Sequence, residues 1–261
     1  MVSFLGVIII KFFYDHFTKD DICGIMTPTH IITIILFFVL GVGAIYLSRK
    51  FNEKQMDKAY LIVAITVTVC EALKITLRAI KGMPYGNMIP LWYCSLFIFA
   101  IWLTRSKAEV LRNTGFSFIT MGGWIAAVFF TFYPSTSLAR YPVWHPASLH
   151  SFFYHLLMFY IGVLTLVRRY YIPDKKHSLH YFCFITAACI PAIILNELLD
   201  INCMFLKNAY KLPILEPIIE FSQELYTFLA YFAQSVLLYW ANYLLYAAII
   251  KIKNSRLDNR E

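Results

Sequence analysis

Residues 31–47 read IITIILFFVLGVGAIYL, seventeen positions without one charged side chain. A helix needs about 20 mostly apolar residues to cross the hydrocarbon of a bilayer, and this stretch nearly fills it. Six further stretches have the same character: Ala59–Leu77, Met88–Leu103, Phe116–Tyr133, Leu149–Val167, Tyr181–Leu199 and Tyr226–Ile250. Helix is the state expected for all of them, because an open strand in lipid leaves its backbone polar groups unpaired. The chain is therefore expected to be an all-α, polytopic membrane bundle of about seven transmembrane helices. Composition agrees: of 261 residues, 60% are hydrophobic, 18% aromatic and only 15% charged, with a mean hydropathy of +0.64. A soluble domain carries about 25% charge and could not hide this much apolar surface in one core. Disordered, collagen-like and nucleic-acid-binding chains are excluded on the same grounds.

The net charge of +8 has a topological explanation. Arg49, Lys50, Lys54 and Lys58 follow the first stretch, and Arg105, Lys107 and Arg112 follow the third. Arg168, Arg169, Lys175 and Lys176 follow the fifth, and Lys251, Lys253, Arg256 and Arg260 follow the last. These 15 alternate, loop by loop, with seven others: Lys11, Lys19, Arg78, Lys81, Arg140, Lys207 and Lys211. Loops rich in Lys and Arg stay in the cytoplasm, so the N-terminus is expected outside and the C-terminus inside. No linker, low-complexity run or internal repeat divides the chain. Residues 1–261 are thus expected to form a single integral membrane domain, with 1–25 as an N-terminal interfacial segment and 251–261 as a cytoplasmic tail. Val2–Ile10 is apolar but short, lacks a basic lead and runs into Asp15, Lys19, Asp20 and Asp21. It reads as an interfacial or half-inserted segment rather than a cleavable signal.

Ionisable groups inside a membrane are costly and usually face a bundle interior or a wet cavity. With this orientation, Glu71 lies six residues before the outer end of the second stretch. Cys94 and His155 each lie six residues below the outer start of the third and fifth stretches. At 1.5 Å per residue all three sit about 9 Å below the outer boundary. Asn196 falls in the last turn of the sixth stretch. Glu71, Lys74 and Arg78 are spaced three and four apart and share one helix face, as a mutually paired stripe or a substrate-facing wall. His145 and His150 stand at the outer mouth of the fifth stretch, and His30 at the start of the first, where it reads as interfacial. Trp92, Trp124, Trp144, Tyr133 and Tyr141 look like an outer aromatic belt. Asp200 and Asn202 have the character of helix-end caps. The six cysteines form no CxxC pair, and no i,i+4 histidine pair stands on one helix, so neither metal nor disulfide framework is expected. No nucleophile elbow, P-loop or dinucleotide fingerprint is present, and no cofactor is expected.

Four segments together resemble one family. They are Ile89-Pro90-Leu91-Trp92-Tyr93-Cys94-Ser95-Leu96, then Gly122-Gly123 with the run to Phe132-Tyr133-Pro134, then Phe152-Phe153-Tyr154-His155. The fourth is Asn196 with Ile201-Asn202-Cys203-Met204-Phe205-Leu206, where Cys203 stands in place of tyrosine. In this order and spacing they are similar to the YwaF-type bacterial integral membrane proteins and their animal relative, transmembrane protein 164. The approach to the last helix, Glu216-Pro217 to Glu224, departs from the family's glycine- and proline-rich pattern. The animal relative is regarded as a phospholipid acyltransferase dependent on a cysteine and a histidine. Carried over, those positions are Cys94 and His155, the pair already placed at one depth. The bacterial members imply a location in a bacterial plasma membrane.

The resemblance implies a membrane-embedded acyltransferase or transacylase whose partners are membrane phospholipids or lysophospholipids. A thiol at that depth suits the task, because glycerolipid esters lie just beneath the headgroups. An ordinary thiol needs a base to become nucleophilic, which His155 could supply, with Glu71 or Asn196 orienting the ring. Asn196, Tyr154 and Trp92 are candidate oxyanion donors. Glu71, Lys74, Arg78, Asn196 and Asn202 are the supporting or substrate-binding candidates. A lipid hydrolase with the same dyad differs only in accepting water. From another class, a transporter or channel would use Glu71, Lys74 and His155 as a proton relay, although no inverted repeat accompanies them. A non-catalytic scaffold or receptor would leave Cys94 dispensable.

Overall fold

The computed structural model describes residues 17–18, 20–82, 88–209, 212 and 214–258. Val2–Ile10 lies outside the described residues. All regular structure among the described residues is helical, with no strand. Helix α1 covers Pro28–Ser48 and α2 Glu53–Ile80. The first starts where Thr27 accepts from the His30 N–H ahead of a first-turn Pro28, the second at a reciprocal Asn52–Gln55 capping box. Then come α3 (Leu96–Leu103), α4 (Glu109–Phe118), a π-helical turn (Ile119–Gly123) and α5 (Trp124–Phe132). Helices α6 (Pro146–Arg168) and α7 (His177–Leu199) precede a 3-10 turn at Cys203–Phe205. The chain closes with α8 (Glu216–Phe221), α9 (Gln223–Phe232), a second π-helical turn (Ala233–Leu237) and α10 (Leu238–Asp258).

Six helices among the described residues are long and apolar enough to span: Pro28–Ser48, Glu53–Ile80, Glu109–Phe132, Pro146–Arg168, His177–Leu199 and Gln223–Lys253. The protein is an integral membrane protein. The remaining apolar stretch, Met88–Leu103, is organised differently. Pro90 lacks an N–H and biases Ile89 away from helix, and turns occupy the chain up to Ser95. Helix α3 then runs for only eight residues, about 12 Å. It is nevertheless deeply packed, with Leu96, Phe97, Ala100 and Ile101 all buried.

The contacts divide the chain into two compact units. The first comprises Met1–Gly82 and Trp124–Arg168. Helix α6 is its hub, touching α1, α2 and α5. In lipid, apolar burial does little to drive helices together, so close approach and interhelical hydrogen bonds matter more. Both are present. A Cβ on Gly41 would stand 2.8 Å from a ring carbon of Phe159, so glycine lets α1 and α6 meet. Tyr60 Oη lies 2.6 Å from Thr165 Oγ1, and Ser48 Oγ lies 2.8 Å from Tyr160 Oη. His30, in the first turn of α1, is fully buried within the protein. Its Nδ1 accepts the Met26 N–H at 2.9 Å, so Nε2 carries the proton and donates to the Thr131 carbonyl at 2.9 Å.

The second unit comprises Met83–Gly123 and Arg169–Glu261. Here α4 packs on α3 and α7, and Gly115 permits the first contact: a Cβ there would come within 2.3 Å of the Ala100 carbonyl oxygen. Each π-helical turn widens the helix and opens a carbonyl to a side-chain donor. Met121 accepts from Asn242 Nδ2 at 2.9 Å, and Gln234 accepts from Tyr181 Oη at 2.9 Å. Outward, residues such as Ile32, Val39, Phe129, Leu198 and Leu244 are exposed, as lipid-facing helices require.

Candidate functional site

In the first unit the charged stripe of α2 is internally paired. Lys74 Nζ lies 2.5 Å from Glu71 Oε1, with the Glu71 side chain 7% and the Lys74 side chain 22% exposed. The i,i+3 spacing makes this the nearest partner a helix can offer. His150, from the second turn of α6, brings its Nε2 to 3.8 Å from the other Glu71 oxygen. Arg78 is half-buried on the next turn of the same face.

His155 sits one turn further along α6 and is 7% exposed. Its ring stacks on Phe130 of α5, centroids 3.7 Å apart and planes 7° from parallel. Nδ1 lies 2.6 Å from the Ser151 carbonyl, one turn back. A carbonyl only accepts, so Nδ1 carries a proton and, in the neutral ring, Nε2 presents its lone pair. That nitrogen is buried and has no hydrogen-bond partner among the described residues. A fixed tautomer with an unused Nε2 is what a general base needs.

Cys94 belongs to the second unit. It is half-buried and occupies the turn that leads into α3, between buried Tyr93 and Ser95. The turn is closed on itself: Ser95 N–H donates to Trp92 O at 2.8 Å and Phe97 N–H to Cys94 O at 3.1 Å. Two longer anchors hold it. Tyr93 Oη lies 2.6 Å from Tyr181 Oη. Because Tyr181 gives its proton to the Gln234 carbonyl, Tyr93 must be the donor to Tyr181. Gly122 makes room for this pair, since a Cβ there would fall 2.2 Å from Tyr93 Oη and 2.7 Å from Tyr181 Oη. At the other anchor, Met204 N–H donates to Leu91 O at 3.0 Å, and Trp92 packs edge-on against Phe205.

Asn196 is committed to this second anchor. Its Oδ1 accepts the Cys203 N–H at 2.6 Å and its Nδ2 donates to the Cys203 carbonyl at 3.1 Å. Asn202 braces the segment that follows, accepting the Lys207 and Asn208 N–H groups at 2.9 and 3.1 Å. It does not cap α7, whose end is Asp200 in the left-handed region at φ 50°. Successive backbone carbonyls beyond Cys203 are also taken by side chains: Met204 by Gln234 Nε2 (2.9 Å), Phe205 by Tyr226 Oη (2.8 Å), Leu206 by Thr227 Oγ1 (2.9 Å) and Lys207 by Gln223 Nε2 (3.1 Å). A non-repetitive segment this deeply packed must find partners for its peptide groups, and these side chains supply them.

The structure thus brings together Glu71, Lys74 and His150 in one unit, and the Cys94 turn, Asn196 and Asn202 in the other. His150 was legible only as a residue near a span end; its approach to Glu71 comes from how α6 packs on α2. Gln223 is legible as a polar residue leading into the last span; Tyr226, Thr227 and Gln234 carry only the signal of their spacing, offsets of 3, 4 and 11 from Gln223 that mark one helical face. No group of three or more His, Cys, Asp or Glu among the described residues is placed to hold a metal.

Architecture and polar interior define a polytopic helical membrane protein with a half-buried thiol and a buried histidine presenting a free ring nitrogen. The sequence model of the TMEM164 family matches residues 25–246, and the chain belongs to that family. No curated protein and no solved structure matches it.

Proposed function

We propose that this protein is a membrane-embedded acyltransferase or transacylase acting on phospholipid or lysophospholipid acyl chains, with Cys94 as nucleophile and His155 as general base. The observation that carries this is the state of His155: Nδ1–H held by the Ser151 carbonyl, Nε2 buried and unused. His30, by comparison, has both ring nitrogens engaged. In the proposed reaction the Cys94 proton passes to His155 Nε2, and Sγ attacks the ester carbonyl of the donor lipid. The C–O bond breaks, His155 returns the proton to the departing lysolipid oxygen, and a thioester remains on Cys94. The hydroxyl of an acceptor lysolipid then gives its proton to His155 and attacks the thioester. The C–S bond breaks and Cys94 recovers the proton. Water in place of the acceptor would give a hydrolase by the same steps. The site is proposed to lie in the outer half of a bacterial plasma membrane, with the N-terminus outside. The close Lys74–Glu71 pair supports a stabilising role for that stripe rather than an open proton relay.

The test is acyl-chain remodelling in membranes, followed by lipid mass spectrometry. Cys94→Ala and His155→Ala are each expected to abolish transfer, and the double variant to be little worse, because residues acting as a unit are strongly non-additive. Cys70, Cys183 and Cys189 serve as controls whose alanine variants keep activity. Full remodelling by a well-expressed Cys94→Ala protein would refute the proposal.

A further inference from the structure

The turn after α7 has an unusual backbone. Met204 and Phe205 are consecutive non-glycine residues in the left-handed region, at φ 52° and 54°. Side chains with a Cβ are disfavoured there, so such a pair persists only where the surroundings over-determine it. The surroundings here are specific. Asn196 takes both the N–H and the carbonyl of Cys203, and Gln234 Nε2 takes the carbonyl of Met204. The one backbone group of Met204 left to point outward from this clamp is its N–H, and it donates to Leu91 O, three residues before Cys94. Gln234 reaches the Cys94 turn by a second route as well: its backbone carbonyl, opened by the π-helical turn, is the terminus of the Tyr93–Tyr181 chain. Its side-chain Oε1 is buried without a partner. An apolar residue would avoid that cost, so the amide is there for what its Nε2 holds.

We propose that Asn196 and Gln234 are positioning residues for Cys94, acting through Met204: they fix the left-handed turn whose N–H locks the Leu91–Ser95 turn and so aim the thiol. This assigns Asn196 neither to the imidazole nor to an oxyanion, since both ends of its amide are engaged by Cys203. The proposal rests on Cys94 being the reactive group, and its test is chosen to fail separately from that assignment.

The experiment uses the full chain in lipid nanodiscs and reads three quantities. They are the rate of Cys94 alkylation by a lipid-soluble maleimide, quantified on the Cys94 peptide by mass spectrometry, the thermal midpoint, and kcat and KM for acyl transfer. In Gln234→Met and Asn196→Ser, loosening the turn exposes the half-buried thiol while spoiling its aim. Alkylation is expected to rise about tenfold and kcat to fall by a similar factor with KM unchanged, since small misplacements near reacting atoms are costly. Thr227→Val, which frees the Leu206 carbonyl but leaves the Met204–Leu91 link, is expected to change neither rate by more than about twofold on the same reasoning. Unchanged alkylation and kcat in folded Gln234→Met and Asn196→Ser overturn the proposal, as does a Thr227→Val effect of equal size. Hydrogen exchange on the unmodified protein decides the matter if neither variant folds: the Met204 amide is expected among the slowest outside the helices, and fast exchange overturns the link. If Cys94→Ala retains transfer, acyltransferase chemistry at Cys94 falls, while the alkylation rates still decide the positioning.

Discussion

Glu71 is buried in the interior of a helix bundle with Lys74 one turn away and His150 at 3.8 Å from its other oxygen. Removing one member of a buried pair typically costs about 3–5 kcal/mol, since the partner is stranded, whereas replacing both is often neutral. Glu71→Gln is therefore expected to lower folded yield on size-exclusion chromatography in detergent, and Glu71→Gln with Lys74→Met to restore most of it. Equal yields for the single and double variants would show that water or substrate, rather than Lys74, stabilises Glu71. His155 shows the same logic without charge: Ser151 fixes its tautomer at the level of one hydrogen bond, and Nε2 is left over.

At the scale of elements, the packing of the π-helical turn Ile119–Gly123 on the Cys94 segment depends on one missing methyl. Gly122→Ala would drive a Cβ into Tyr93 Oη and Tyr181 Oη, and overpacking of this kind costs about 1–3 kcal/mol. The variant is expected to melt several degrees lower. Adding Tyr93→Phe removes the oxygen at the closest contact, so the double variant should be less destabilised than the sum of the two singles. Strict additivity would mean that the helix moves away instead. The spans themselves were legible because uncharged runs in lipid leave the backbone no choice but helix. Met88–Leu103 was less so: apolar content does not distinguish a buried turn from a helix, and Pro90 decided between them. The Gly41 and Gly122 contacts were illegible because a glycine in an apolar run does not name the ring it admits. The clamp on Met204 was also hidden. Left-handed residues without glycine leave no mark in the sequence, and the polar stripe on α9 acquires meaning only once its acceptors are known.

For the whole molecule, the distribution of Lys and Arg makes the orientation testable. Reporter fusions after residues 55, 108, 172 and 257 are all expected to report cytoplasm, given the basic loops they follow, which requires Met88–Leu103 to cross as a turn followed by the short α3. An external signal at 108 and 172 would invert the chain and place Cys94 and His155 toward the opposite leaflet. The segment Cys203–Lys207 bears on the family in another way. It is fastened through its peptide carbonyls, by donors on α7 and α9 and in the π-helical turn after α9, so residues remote in the sequence hold its backbone in place. A relative can then exchange tyrosine for Cys203 with the tether intact, provided the volume is accommodated, while a change at Asn196 or Gln234 would release it. Change at the fasteners should accordingly loosen the segment even where its own buried side chains are kept.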